Sequence, residues 1–286
     1  MKDGLRQLDR SLYPSGLIEI PGPPKQLWMR GSLKPEGQKY LTVVGSRALT
    51  SYGREACRKL IEGLAGYPIS IVSGLALGTD AEAHRAALSV GLHAVAFPGS
   101  GISDDAIAPR TNIGLAKEIL EKGGALVSEY EPDTPPAPWM FPARNRLMVG
   151  MADAVLMIEA GEKSGTLITA RLSSEYNREL LCVPHRIGDP NGFGAHLFLR
   201  LGATAVTESI HILEALHIAP NTPKEHGEAQ HLEGAEAILY DLLVEATPRD
   251  ELIRNAGVAP GEALTALVTL ELRGLIKEEF GRWHRT

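Results

Sequence analysis

The stretch FPARNRLMVGMADAVLMIEAGEKSGTLIT, residues 141–169, decides the fold. It opens on the basic run Arg144-Asn145-Arg146 and passes from a helical pattern into Ala154-Val155-Leu156-Met157-Ile158. An unbroken apolar run of this length suits a strand covered by helices on both faces, as in a parallel sheet. It ends in Glu159-Ala160-Gly161-Glu162-Lys163-Ser164-Gly165-Thr166 and then a second helical pattern. The carboxyl end of a parallel strand is where an open α/β sheet binds its ligand.

Outward from this stretch the pattern repeats. Apolar runs at 41–44, 69–72, 93–97, 125–128, 154–158, 180–183 and 203–206 alternate with helical segments. Between the first two, Cys57, Leu60, Ile61 and Leu64 follow the i, i+3, i+4, i+7 spacing of one apolar helix face. Such alternation predicts right-handed crossovers and a parallel, doubly wound sheet over 41–216. Residues 1–40 are rich in Pro and Gly and are expected to form an extended arm, not a regular helix, that packs Tyr13, Leu27 and Trp28 onto this domain. Residues 217–231, HIAPNTPKEHGEAQH, read as a polar linker. Residues 232–286 carry three helical patterns and a terminal hairpin pattern, the order of a small winged-helix domain.

Composition narrows the function classes. With 44% hydrophobic and 22% charged residues the chain has an ordinary globular balance, and its net charge of -6 means that any anion site must be a local concentration of cations. Cys57 and Cys182 are expected as buried small hydrophobes, with no metal-ligand spacing around them. No apolar run approaches the ~18 residues of a membrane span, and no signal peptide is evident, so a cytoplasmic location is expected.

The loops that follow the strands hold the candidate chemistry. Gly45-Ser46-Arg47, Ser73-Gly74, Pro98-Gly99-Ser100-Gly101 and 159–166 are expected to converge on one sheet edge. Small residues there let backbone amides approach a phosphate, and Arg47, Arg144, Arg146 and Lys163 would complete an anion pocket. The alternative is that these glycines only permit tight turns. Gly45-Ser46-Arg47 lacks the second glycine of a dinucleotide fingerprint, and Glu162 stands where a Walker A loop needs glycine. Asp80 and His84, four residues apart, read either as an acid–base pair or as a helix N-terminal acid with a packed neighbour. Glu159 is a lone carboxylate, so no complete catalytic constellation emerges. The third tail helix offers few groups for reading base edges, and from Leu232 onward 10 acidic residues face 6 Lys or Arg. A protein-binding or regulatory module suits that tail better than a DNA reader.

Gly45-Ser46-Arg47, 73–80 with His84, Ser128-Glu129-Tyr130, Phe141-Pro142-Ala143-Arg144-Asn145-Arg146 and 159–171 resemble, in order, the motifs of the DNA-processing protein A family, also called Smf. The resemblance covers about residues 12–216. It implies an extended Rossmann-like domain that binds single-stranded DNA, protects incoming strands in natural transformation and loads the RecA recombinase. Its members act as homodimers and are not known as enzymes or as users of a cofactor. By position, the family's DNA-contacting residues fall on Gly45, Ser46, Arg47, Ser73, Gly74, Arg144, Asn145, Arg146, Lys163, Ser164, Gly165 and Thr166.

Leu77 and Thr79 depart from the family's Ala-Arg-Gly-Ile-Asp, His185 from its glycine, and His196 from its asparagine. The sterile-alpha-motif-like domain that precedes many members is not expected here. A nucleotide phosphoribohydrolase, with Glu159 as its acid, is the alternative, although the Pro-Gly-Gly-x-Gly-Thr loop of such enzymes is missing.

Overall fold

The computed structural model describes residues 4–34, 37–220, 232–243, 247–273, 275–279 and 281–285, and they fall into two compact units, Met1–Ala219 and Pro220–Thr286. Of the linker reading at 217–231, residues 221–231 lie outside the described residues.

In chain order the first unit runs β1 (Arg6–Gln7), α1 (Ser15–Glu19), β2 (Trp28–Gly31), β3 (Lys39–Val44), α2 (Ser51–Glu62), β4 (Ile69–Ser73), α3 (Thr79–Ser89), β5 (His93–Ala96) and α4 (Ile113–Glu121). It continues through β6 (Ala125–Ser128), α5 (Met140–Met151), β7 (Ala154–Met157), α6 (Thr166–Glu175), β8 (Glu179–Cys182), α7 (Phe193–Arg200), β9 (Thr204–Ala205) and α8 (Ser209–Ala215). The strands form one sheet in the order β1-β2-β6-β5-β4-β3-β7-β8-β9, parallel from β6 to β9.

Alternation along each strand sorts its side chains to two faces. Leu41, Val43, Ile69, Ile71 and Leu156 pack against Cys57, Leu60, Ile61 and Leu64 of α2 and against Ile212 and Leu213 of α8. Val44, Val72, Val155 and Met157 pack on the other face against Leu147 and Met148 of α5 and Phe198 of α7. Both layers are apolar, which makes the sheet doubly wound. Cys57 and Cys182 are free and buried, and burial raises the Cys182 thiol to about 12.

The amino-terminal arm is more regular than expected. Proline excludes a helix interior but not a helix start, and α1 begins directly after Pro14, its N-cap. Trp28–Gly31 pairs antiparallel with β6, so the arm extends the sheet, while Tyr13 and Leu27 are buried. The second unit contains α9 (Gly234–Leu242), β10 (Thr247–Pro248), α10 (Arg249–Ala256), α11 (Pro260–Leu272), β11 (Ile276–Glu279) and β12 (Arg282–Arg285). Its three strands pair antiparallel in the order β10-β12-β11, around a core that includes Leu239, Leu252, Leu267, Leu270 and Trp283.

The chain moves one way from β3 through β4 and β5 to β6, then returns to the other side of β3 for β7, β8 and β9. The turning point lies between β3 and β7, whose parallel register pairs Val44 with Met157. Beyond their carboxyl ends the crossovers leave in opposite directions, which opens a crevice. At this edge Thr50 caps α2: its hydroxyl accepts from the Gly53 amide at 3.0 Å and donates to the buried Glu159 at 2.7 Å. Thr50→Ala removes the cap and strands a buried carboxylate oxygen, and should lower stability by about 2 kcal/mol, read as a lower urea midpoint at unchanged slope.

Candidate functional site

A cleft of about 840 Å³ occupies the crevice. The loop after β3 contributes Gly45, Ser46 and Arg47; α5 contributes Phe141, Arg144 and Asn145; and the loop after β7 contributes Lys163, Ser164, Gly165 and Thr166. Two of the walls are tied directly, because the Thr166 hydroxyl donates to the Gly45 carbonyl at 3.0 Å. A third element joins them where Thr79 donates to the Ser46 carbonyl from both its amide and its hydroxyl, each at 3.1 Å. Gly45 allows this closeness, since a Cβ there would lie 2.4 Å from the Thr79 hydroxyl.

The cations of the site divide into two kinds. Arg47 and Lys163 are exposed, and among the described residues neither forms an ion pair. The Arg47 guanidinium lies 5.3 Å from the ring centroid of Phe141, a cation–π contact that leaves its hydrogen-bond donors free. Arg144, by contrast, is buried. It donates to the carbonyls of Gly74 and Phe97, to Asn145 Oδ1 at 2.9 Å and to Asp80 at 3.4 Å. Burial is the main force lowering its pKa, with Arg47 adding to it and Asp80 opposing. Asp80 also accepts the amides of Gly74 and Ala76 at 3.1 and 3.3 Å.

Three expected contributors lie away from the cleft. Ser73 is buried and its hydroxyl donates to the Val43 carbonyl at 2.7 Å. Gly74 packs against the guanidinium of Arg144, where a Cβ would lie only 1.7 Å from it, and its carbonyl is already taken. Arg146 points to the arm, with donors to the Gly22 carbonyl at 2.9 Å and to the Glu129 carboxylate. The 98–101 loop also stops short of the lining; Gly99 lies beneath the Phe141 ring.

Other residues line the cleft that sequence reasoning did not assign to it. Phe141 and Pro142 lie beside the basic run, Ile168 and Thr169 lie on α6, and Asn191 lies in the loop after β8. Asn191 was within reach of the rule that singled out the other loops, since it too follows a parallel strand at the same edge. The positive end of α6 reaches the cleft at Thr166, its first residue. Asn145 donates across the wall to Thr169 at 2.9 Å, so its amide braces the cleft floor.

Glu159 braces the loops, whereas the buried histidine beside the site makes no hydrogen bond. Glu159 is fully buried and accepts from the Thr50 amide and hydroxyl. His84 is also fully buried; neither ring nitrogen has a hydrogen-bond partner, and no bond joins it to Asp80 among the described residues. Burial foremost, then the charge of Arg144, lowers its pKa to about 3 against a weaker pull from the Ser73 carbonyl. The two departures after β8 form a cluster of their own. His185 meets the Tyr52 ring edge-on at 5.2 Å and its carbonyl accepts from His196 at 3.1 Å. Leu77, the third departure, is exposed. Among the described residues no group of His, Cys, Asp or Glu is placed to hold a metal, and no helix is long and apolar enough to cross a membrane.

Comparison with known proteins adds to this geometry. The profile of the DNA recombination-mediator protein A family matches residues 5–217, and that of the DprA winged helix domain matches residues 222–282. Protein Smf of Escherichia coli strain K12 is 39% identical over 276 residues, 94% of this chain and 73% of its own. The crystal structure of DNA processing protein A from Streptococcus pneumoniae superposes with a TM-score of 0.70 at 33% identity, over 76% of each chain. A solved structure of DNA processing protein A from Helicobacter pylori, described for its single-stranded DNA binding mode, gives a TM-score of 0.66 at 29% identity over 76% of this chain and 98% of its own.

Two outcomes follow from the buried groups. Arg144→Ala leaves the buried Asp80 carboxylate without its counter-charge, held only by the Gly74 and Ala76 amides, and takes the guanidinium from two carbonyls; it should lower stability by about 3–5 kcal/mol, measured by chemical denaturation. The unfolded chain protonates His84 near its ordinary pKa of 6.5 while the native chain resists to about 3, so stability falls as pH drops across that window. Replacing His84 with Leu should flatten the pH dependence of unfolding between pH 6 and 4 by about 1.4 kcal/mol per pH unit.

Proposed function

The chain belongs to the DNA recombination-mediator protein A family, and from that premise we propose that it binds single-stranded DNA in the cleft between the β3 and β7 loops. The observation that carries this reading is the pairing of unpaired cations with an aromatic face. Arg47 and Lys163 flank a cleft that also presents Phe141 and the start of α6. Backbone phosphates meet the cations and the positive helix end, and a base meets the ring, so a strand is held without its sequence being read.

The role extends to what the family resemblance implies. The protein protects incoming strands and loads RecA recombinase onto them in natural transformation and recombination, acting as a cytoplasmic homodimer without catalysing a reaction. The carboxylates support the non-enzymatic part of this reading. Glu159, the acid that a phosphoribohydrolase would use, is engaged with Thr50 beneath the loop, and Asp80 is engaged with Arg144 and two amides. Neither is free to act on a glycosidic bond. The domain limits at 41–216 and 232–286 and the set of contact residues belong to the same proposal. Within that set Arg47, Lys163, Ser164, Gly165 and Thr166 meet the strand, while Arg144, Asn145 and Gly74 shape the wall. Ser73 and Arg146 act one layer further back.

Arg47→Ala and Lys163→Ala should each weaken binding of an oligothymidine and reduce the slope of log K against log salt by about 0.7. Titrations at several salt concentrations measure both quantities; undiminished binding by both variants would remove this cleft as the site.

A further inference from the structure

Trp139 is 61% exposed, an unusual setting for the largest side chain in a protein with only 5% aromatic residues. Of the other two tryptophans, Trp28 is half-buried on the sheet and Trp283 is in the core of the second unit. Trp139 meets the ring of Tyr130 edge-on, with centroids 5.6 Å apart and planes at 85°. It directly follows Pro138 and stands two residues before Phe141, and both of those line the cleft.

The loop that presents this pair is braced. Gly101 donates to the Thr134 carbonyl at 2.8 Å, Ser103 to that of Pro132 at 2.9 Å, and Met140 to that of Ala137 at 3.0 Å. Prolines at 132, 135, 136 and 138 restrict what remains. An aromatic surface held in this way loses little conformational freedom when something lands on it. The same loop carries exposed Glu131 and Asp133 and no cation, so its charge turns phosphates away.

From these observations we propose that Trp139, supported by Tyr130, is a second base platform at the mouth of the cleft, stacking an unpaired base of the strand whose phosphates Arg47 and Lys163 hold. The inference rests on the single-stranded-DNA reading above and deepens it. An indole accepts the face of any base, so the platform adds affinity and length preference without sequence preference. It neutralises no phosphate, so it leaves the salt slope unchanged, and that separates it from the cations.

The test uses the full-length protein, an oligothymidine and an abasic strand of equal length. Trp139→Ala should weaken oligothymidine binding by about 5- to 100-fold, leave abasic binding within about twofold and keep the wild-type salt slope. Trp139→Phe should restore most of the loss, and oligothymidine should quench wild-type tryptophan emission more than that of Trp139→Phe. Equal melting temperatures establish that the exposed substitution leaves the fold intact. Wild-type affinity in Trp139→Ala, or an equal loss on the abasic strand, overturns the platform while Arg47→Ala still reports on the cleft. A wild-type protein that binds neither strand overturns both readings.

Discussion

A guanidinium removed from water must have its charge and its donors answered by protein, and at Arg144 they are answered by four residues, three of them distant in sequence. The carbonyl of Gly74 lies 70 residues away in sequence, that of Phe97 lies 47 away and the carboxylate of Asp80 lies 64 away, while the amide of Asn145 is next in the chain. These bonds fasten α5 to the carboxyl ends of β4 and β5 and to the first turn of α3. The cleft walls keep their separation because this strut sits behind them. The loop it anchors carries Leu75 in the left-handed region at φ 59, a conformation unfavourable for a side chain of that size. Asn112 holds the same loop by donating to the carbonyls of Leu75 and Ala76 at 2.9 and 3.1 Å.

Once Arg144 is committed to Asp80, its charge is largely spent inside the protein. The attraction for a polyanion then falls to Arg47, Lys163 and the positive end of α6, a small set on a chain of net charge -6. In the proposed role such a surface holds a strand locally and does not become coated by it.

The fold was legible because burial on two faces leaves its mark on every strand. The run at 154–158 is apolar at every position and those at 41–44 and 69–72 at every position but Thr42 and Ser70, and the structure turns each into a central strand buried on both faces. The loops were legible for a related reason, since the ends of parallel strands define the ligand edge before any side chain is placed. The jobs of individual polar residues were not, because those depend on partners distant in sequence. Arg144 and Arg146 look alike in the run Arg144-Asn145-Arg146, yet a two-residue step on a helix turns them about 200° apart. One faces the cleft wall and the other meets Gly22, 124 residues away, and Glu129. Glu159 looked available until its partner Thr50, 109 residues away, was brought beside it.

The glycines of these loops separate by the same reasoning. Gly45 and Gly74 are needed where protein meets protein, because a methyl group would collide with Thr79 at one and Arg144 at the other. Their smallness lets three walls close on each other, which is a packing requirement and not a direct contact with ligand. At Gly165 a Cβ would meet nothing within 4 Å, and this residue caps the exposed start of α6. Packing therefore does not require Gly165, which fits the proposed approach of a phosphate to the first turn of the helix. The glycines of one site thus divide in two, those that close packing requires and one, Gly165, whose Cβ position is open, and the space around each Cβ position tells them apart.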